Sequence, residues 1–202
     1  MGKIVLTEEG RVSYLRVFEG QEQTNDDGNI SYGTTFLIPK EAEDTIKSIR
    51  AAILEASQEK FDKIKSLPAV GHWYPLRDGD EELEAGNKTG KEYEGHYFLS
   101  AKAYELNQFA VIGPNGAAID HKEAENADQF VSGDYARLKI TFKAFDRKGN
   151  KGVRCVLKGA MKTRKGDPLG SVARPEDLAN DFGVQAAADN TEFSAEDVDL
   201  EL

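Results

Sequence analysis

Ten lysines and arginines fall between Tyr135 and Arg164, against a single acid, Asp146. Their spacing gives them a chemistry. In SGDYARLKITFKAFD (132–146), Ala136, Leu138, Ile140, Phe142 and Ala144 alternate with Tyr135, Arg137, Lys139, Thr141, Lys143 and Phe145. Side chains of a strand point to opposite faces in turn, so this segment predicts one apolar face and one cationic, aromatic face. The pattern recurs. In 151–164, after Lys151, the residues Arg154, Lys158, Lys162 and Arg164 oppose Val153, Cys155, Leu157 and Met161. In 96–104, Lys102 and Tyr104 share a side with Phe98, and in 11–19 Tyr14, Arg16 and Phe18 align. One strand with a charged outer face is ordinary. Four such strands, three of them adding rings, suit a flexible polyanion that also carries flat bases. Lysine and arginine attract phosphates, and aromatic rings stack unpaired bases of any sequence at roughly 1–3 kcal/mol per base.

Those residues need a sheet to hold them. Strands are expected over 11–19, 32–38, 96–104 and 109–113, followed by a hairpin over 134–164 that turns at DRKGN (146–150). The opening ten residues read as a loose start, 20–29 as a polar loop and 114–129 as another. One helix, roughly 40–65, is expected from Pro39 at its start, from Glu41, Glu43 and Asp44 at its positive end, and from the stripe Ala42, Ile46, Ile49, Ile53, Ala56. Residues 67–95 contain two prolines and five glycines without a period and read as one long loop.

Charge divides the chain. The total is −10, from 26 basic and 36 acidic residues. Nine acids lie between Glu176 and Leu202, where there is no lysine or arginine, so 1–175 is close to neutral. The expected organisation is a domain over 1–182 and an acidic, disordered tail over 183–202. The start, MGKIVLTEEG, reads neither as a secretory signal nor as a myristoylation motif, and no stretch has the roughly 18 apolar residues of a membrane span. With one cysteine, Cys155, no internal disulfide can form, and a cytosolic home fits.

Other chemistries have weaker signals. No P-loop, dinucleotide fingerprint or zinc spacing is present, so no cofactor is expected. Asp78, Asp80, Glu81 and Glu82 in PLRDGDEE (75–82) cluster without EF-hand spacing. They read first as a turn, with Arg77 paired or in solvent. They also leave open a metal-dependent nuclease, while a scaffold protein whose two-faced sheet binds another protein is a third reading. His72, His96 and His121 are scattered, and Cys155 sits on an apolar face. Trp73 either plugs the end of a barrel or stacks on a base.

Several segments in order, YGTTFLIPKE (32–41), PLRDGDEE, GHYFLSAKA (95–103), SGDYARLKITFKAFD, GNKGVRCVLKGAMKTRKGDPLG (149–170) and Asp181-Phe182 before an acidic end, resemble the Enc34-like family of phage single-stranded-DNA-binding proteins. The resemblance implies an OB-fold-like antiparallel barrel, mainly β, with an inserted helix. It implies single-strand binding without sequence preference, in the service of phage replication or recombination in the host cytoplasm. It makes Arg77 a candidate DNA contact beside Arg16, Trp73, Lys102, Tyr104, Arg137, Lys139, Lys143, Phe145, Lys151, Arg154, Lys158, Lys162 and Arg164. The acidic tail would modulate binding and recruit replication or recombination proteins. A homodimer is left open.

Overall fold

A computed structural model of the chain describes residues 2–25, 28–61, 74–147 and 150–169. Trp73, the tail and the expected boundary at 182–183 lie outside the described residues. Ten strands carry the fold: β1 (Ile4–Leu6), β2 (Gly10–Arg16), β3 (Gln23–Thr24), β4 (Ile30–Pro39), β5 (Arg77–Asp78), β6 (His96–Ala103), β7 (Ala110–Ile112), β8 (Ala118–Ile119), β9 (Tyr135–Arg147) and β10 (Asn150–Arg164). Among the described residues the helices are α1 (Glu43–Lys60) and α2 (Gly79–Glu84), with three short 3₁₀ turns.

The pairing closes on itself. β9 pairs antiparallel with β2 through Gly10↔Ala136 and Arg11↔Tyr135. β2 pairs with β4, and β4 with β6, also antiparallel. β6 then pairs in parallel with β10 through Cys155↔Ala101 and Val156↔Lys102. β10 returns to β9 along the long hairpin. The sheet was expected to be antiparallel throughout. It is not, because β6 and β10 are separated by a long connection and meet pointing the same way, and β7 joins β10 in parallel too. β1 extends the sheet beyond β9, with Val5 opposite Ile140.

A circuit of five strands has one inside. Val12, Leu15 and Val17 from the β2 region, Phe36 and Ile38 from β4, Leu99 and Ala101 from β6, Leu138 and Ile140 from β9, and Cys155 and Leu157 from β10 share a single core. Burying each large aliphatic group contributes roughly 1.5–3 kcal/mol. Cys155 is buried there, which pushes its thiol pKa up. α1 adds Ile46, Ile49, Ala52, Ile53 and Ala56 to the same core and packs on β9 and β1. It starts later than expected, since Pro39 closes β4 and Ala42 is the residue before the first turn.

Two bulges decide which side chains face out. In β2 the register slips between Ser13 and Arg16, and the strand ends at Arg16, so Val17 and Phe18 both enter the core and Phe18 does not align with Arg16. In β10 it slips between Leu157 and Gly159. Before the slip Val153, Cys155 and Leu157 point inward; after it Ala160 does. Lys162 therefore takes the inward parity, and Met161 the outward one, the reverse of the expectation from simple alternation. The ammonium of Lys162 lies 2.8 Å from the fully buried Asp134 carboxylate and donates to the Gln129 carbonyl at 2.7 Å. Asp134 also accepts from the Val131 and Gly166 amides.

The "loose start" and the "loops" contain structure that strand periods cannot reveal: β1 is three residues, β3 and β8 two each, and 124–129 is a 3₁₀ turn. Within 74–95, Asp78 caps α2 by accepting from the Asp80 amide at 3.0 Å. Leu83 of α2 and Tyr93 then cover Phe98 and Leu37 on the outer side of the sheet, with Tyr93 and Phe98 edge to face at 4.9 Å.

The Lys162–Asp134 pair yields a direct prediction. Lys162→Met leaves a buried carboxylate without its cation and costs about 3 kcal/mol in urea unfolding. A loss below about 1 kcal/mol would place Asp134 in a better-solvated setting than described.

Candidate nucleic-acid interface

Register lines up one row of side chains across all five strands of the circuit, buried at Ser13 and open to solvent at Ser100, Arg154 and Lys143. Ser13 of β2 stands opposite Thr35 of β4, and Thr35 opposite Ser100 of β6. The parallel pairing of Cys155 with Ala101 sets Arg154 of β10 level with Ser100. Arg154 faces Lys143 of β9. The middle of this row is floored by small hydroxyls, so a chain could lie across it without meeting bulk. Gly33 deepens it. Its φ is +156°, and a Cβ there would collide with the Ala101 carbonyl oxygen, so β4 and β6 approach more closely than a side chain allows.

Cations and rings flank the floor. On one side Arg16 lies opposite Gly33, and Gly33 opposite Lys102. Arg16 donates to Gln23 Oε1 at 2.8 Å, while its shielded Nε has no acceptor among the described residues. Tyr104 carries the Arg154 guanidinium 5.3 Å from its ring centroid. On the other side Thr35, Ser100, Arg77, Phe98, Phe145 and Arg154 share a hollow of about 670 Å³. Arg77 packs 5.4 Å from the Phe98 centroid and is held in place by Glu82, with Nε to Oε1 at 2.9 Å. Lys88 lies 5.1 Å from the centroid of Tyr93 and 5.5 Å from that of Phe98. Tyr74 and Lys88 line the same hollow. Sequence reading missed both, because they sit in a segment without a period. Strand partners such as Thr35 were missed because a hydroxyl on a half-buried strand carries no signal of its own.

The other expected residues are placed elsewhere. Arg137, Lys139 and Lys158 rim a separate, largely apolar hollow of about 410 Å³ floored by Leu6, Ala110, Ile112 and Met161, and Arg137 donates to the Thr7 carbonyl at 2.9 Å. Lys162 is turned inward, as described. Arg164 bonds Glu9 at 2.9 Å and stacks on Tyr135, with Arg11 on that same ring at 5.3 Å. Lys151 sits 3.4 Å from Asp146 near the hairpin tip. The stripe read from the sequence is therefore not one surface: Lys143, Arg154, Lys102 and Arg16, with Tyr104, Phe145 and Arg77, gather along the row, and Arg137, Lys139, Lys151, Lys158, Lys162 and Arg164 do not.

The acidic cluster is neutralised from within. The Lys40 ammonium donates to both Asp78 oxygens at 2.7 and 2.8 Å and lies 2.7 Å from Asp80. Burial pulls Lys40 down, but its bonds to Asp78 and Asp80 outweigh that and hold its pKa up. Among the described residues no group of three His, Cys, Asp or Glu side chains converges as a metal site would need.

The family described as "Enterobacter phage Enc34, ssDNA-binding protein" matches residues 3–193. The chain belongs to this family. A relative, protein p50 of Acyrthosiphon pisum secondary endosymbiont phage 1, is 30% identical over 176 residues, which cover 83% of this chain and 88% of that one. Among solved structures, the single-stranded DNA-binding protein of bacteriophage Enc34 in complex with ssDNA superposes with a TM-score of 0.67 at 20% identity, covering 83% of this chain and 89% of that one. The single-stranded DNA-binding protein gp2.5 of bacteriophage T7 gives 0.54 at 12% identity, covering 97% and 100%. The mainly β fold with few helices is the one these proteins share.

Arg77 is positioned by a titratable partner. The hydrogen bond from Arg77 holds the Glu82 carboxyl below its ordinary range; burial opposes this, and Asn87 and Lys88 assist. A depressed carboxylate stabilises the fold fully above the ordinary carboxylate range and loses that contribution as pH falls through the folded value. The urea midpoint should decline between about pH 5 and pH 3. Glu82→Gln should lower stability at neutral pH and flatten part of that decline. An unchanged acid limb would mean that Arg77 is not held through Glu82.

Proposed function

We propose that this chain binds single-stranded DNA without sequence preference along the row Ser13–Thr35–Ser100–Arg154–Lys143, protecting it during phage DNA replication and recombination in the host cytoplasm. The observation that carries the reading is that row: a floor of hydroxyls with Arg16, Lys102, Arg154, Lys143 and Lys88 beside it, and Tyr104 and Phe145 within reach of bases. Phosphates would pair with the cations and bases would lie over the rings. Hydroxyls and backbone groups read little of a base edge, which favours sequence tolerance.

The circuit of pairings supports naming the sheet an OB-fold barrel. In chain order its strands run β2, β4, β6, β9, β10, and they neighbour one another in the order one-two-three-five-four, with a parallel pair between third and fifth. An OB-fold binds oligonucleotides on the face of its second and third strands, here β4 and β6. The acidic tail, expected to be disordered, is proposed to oppose the phosphates at low salt and to serve replication or recombination proteins. A nuclease reading has little support, since Asp78 and Asp80 are occupied by Lys40.

Five phosphate contacts predict that log affinity for an oligonucleotide falls with log salt at a slope near about −3.5, at roughly −0.7 per contact. A slope near zero would contradict the row. Replacing Lys143 and Arg154 together by Ala should flatten the slope by about 1.4. Replacing Lys139 and Lys158, which rim the other hollow, should leave it unchanged. Truncation after Gly183 should tighten binding at low salt, and equal or weaker binding would remove the tail from the account.

A further inference from the structure

Tyr14 occupies the bulge of β2, between Ser13, which faces Thr35, and Arg16, which faces Gly33. Its φ is +49°, the one non-glycine residue with positive φ among the described residues. For a residue with a Cβ this left-handed conformation costs of order 1–3 kcal/mol and persists only where the surroundings enforce it. They do so here. The Thr34 hydroxyl, itself buried, donates to the Ser13 carbonyl at 3.0 Å, and the Leu15 amide donates to Ser132 Oγ at 2.8 Å. Two backbone groups at the bulge are thus satisfied by side chains. Leu15, on the far side of the bulge, is anchored in the core.

The outcome is an aromatic ring held away from the core at the β2 end of the row. Tyr14 is 58% exposed. The exposed ring therefore stands beside Ser13 at the β2 end of the row, the end away from Lys143 in the order of the row.

We infer that the β2 bulge is a device for presenting Tyr14 as a base-stacking platform at the end of the single-strand track, kept at a cost in fold stability. This rests on the proposed single-strand binding and extends it by one residue and one conformational constraint. It accounts for three things together: an unfavourable backbone angle, side chains dedicated to keeping it, and a large ring left in water. A bulge that served only to bend β2 would favour glycine or asparagine at this position.

The test opposes stability to affinity. Tyr14→Gly relieves the backbone and removes the ring, so it should raise the melting temperature while weakening poly-dT binding roughly tenfold, the size of one lost stack. Tyr14→Asn, which also tolerates the left-handed region, should weaken binding likewise without lowering the melting temperature. Tyr14→Phe keeps the ring and should bind as the unaltered chain does. Glycine and asparagine variants that bind like the unaltered chain, or that both melt lower, overturn the inference. If the unaltered chain itself fails to bind poly-dT, the proposed function fails first, and this reading with it.

Discussion

The parallel contact between β6 and β10 is the constraint on which the rest of the molecule depends. Without it the five strands would form an open sheet with two faces. With it the sheet has an inside, filled by Leu99, Ala101, Cys155, Leu157 and their neighbours, and a continuous outside. The same contact brings Arg154 beside Ser100, and so joins the cations of the β9–β10 hairpin to the hydroxyl floor made by β4 and β6. Shared core packing and the assembly of the outer row are one event.

Closure around so few strands requires sharp local adjustments, and these sit where function is read. The β10 bulge turns Lys162 inward onto Asp134 and sends Met161 outward. The β2 bulge shifts the register of its strand against β4 and leaves Tyr14 exposed. The electrostatics follow the same division. Lys40, Arg77, Lys162 and Arg164 are paired with acids of the fold, whereas Lys102 and Lys143 have no ion pair among the described residues. An acidic protein can still present a local cationic path, because what a strand meets within a Debye length is the arrangement of charges and not their sum.

Much of this was legible in the sequence. The alternation in 132–146 gave β9 its correct faces, and 96–104 did the same for β6, because both strands run without interruption. The stripe of isoleucines set α1 on the core. What alternation could not deliver was parity beyond a bulge or a strand end: Lys162 was assigned by a period that the β10 bulge breaks, and Phe18 by one that stops where β2 ends at Arg16. Strands of two or three residues, β1 among them, are too short to carry a period at all. The grouping of Arg16, Lys102, Arg154 and Lys143, and their separation from Arg137 and Lys139, depends on pairing between distant segments. Lys88 and Tyr74 enter through tertiary packing alone.

Backbone amide shifts on adding poly-dT to the isotope-labelled chain test the central claim most directly. The account predicts that Ser13, Thr35, Ser100, Lys102 and Arg154 move together and saturably, while Leu6, Ile112 and Met161 around the other hollow stay in place. Shifts confined to that second hollow, with the hydroxyl row unaffected, would contradict it.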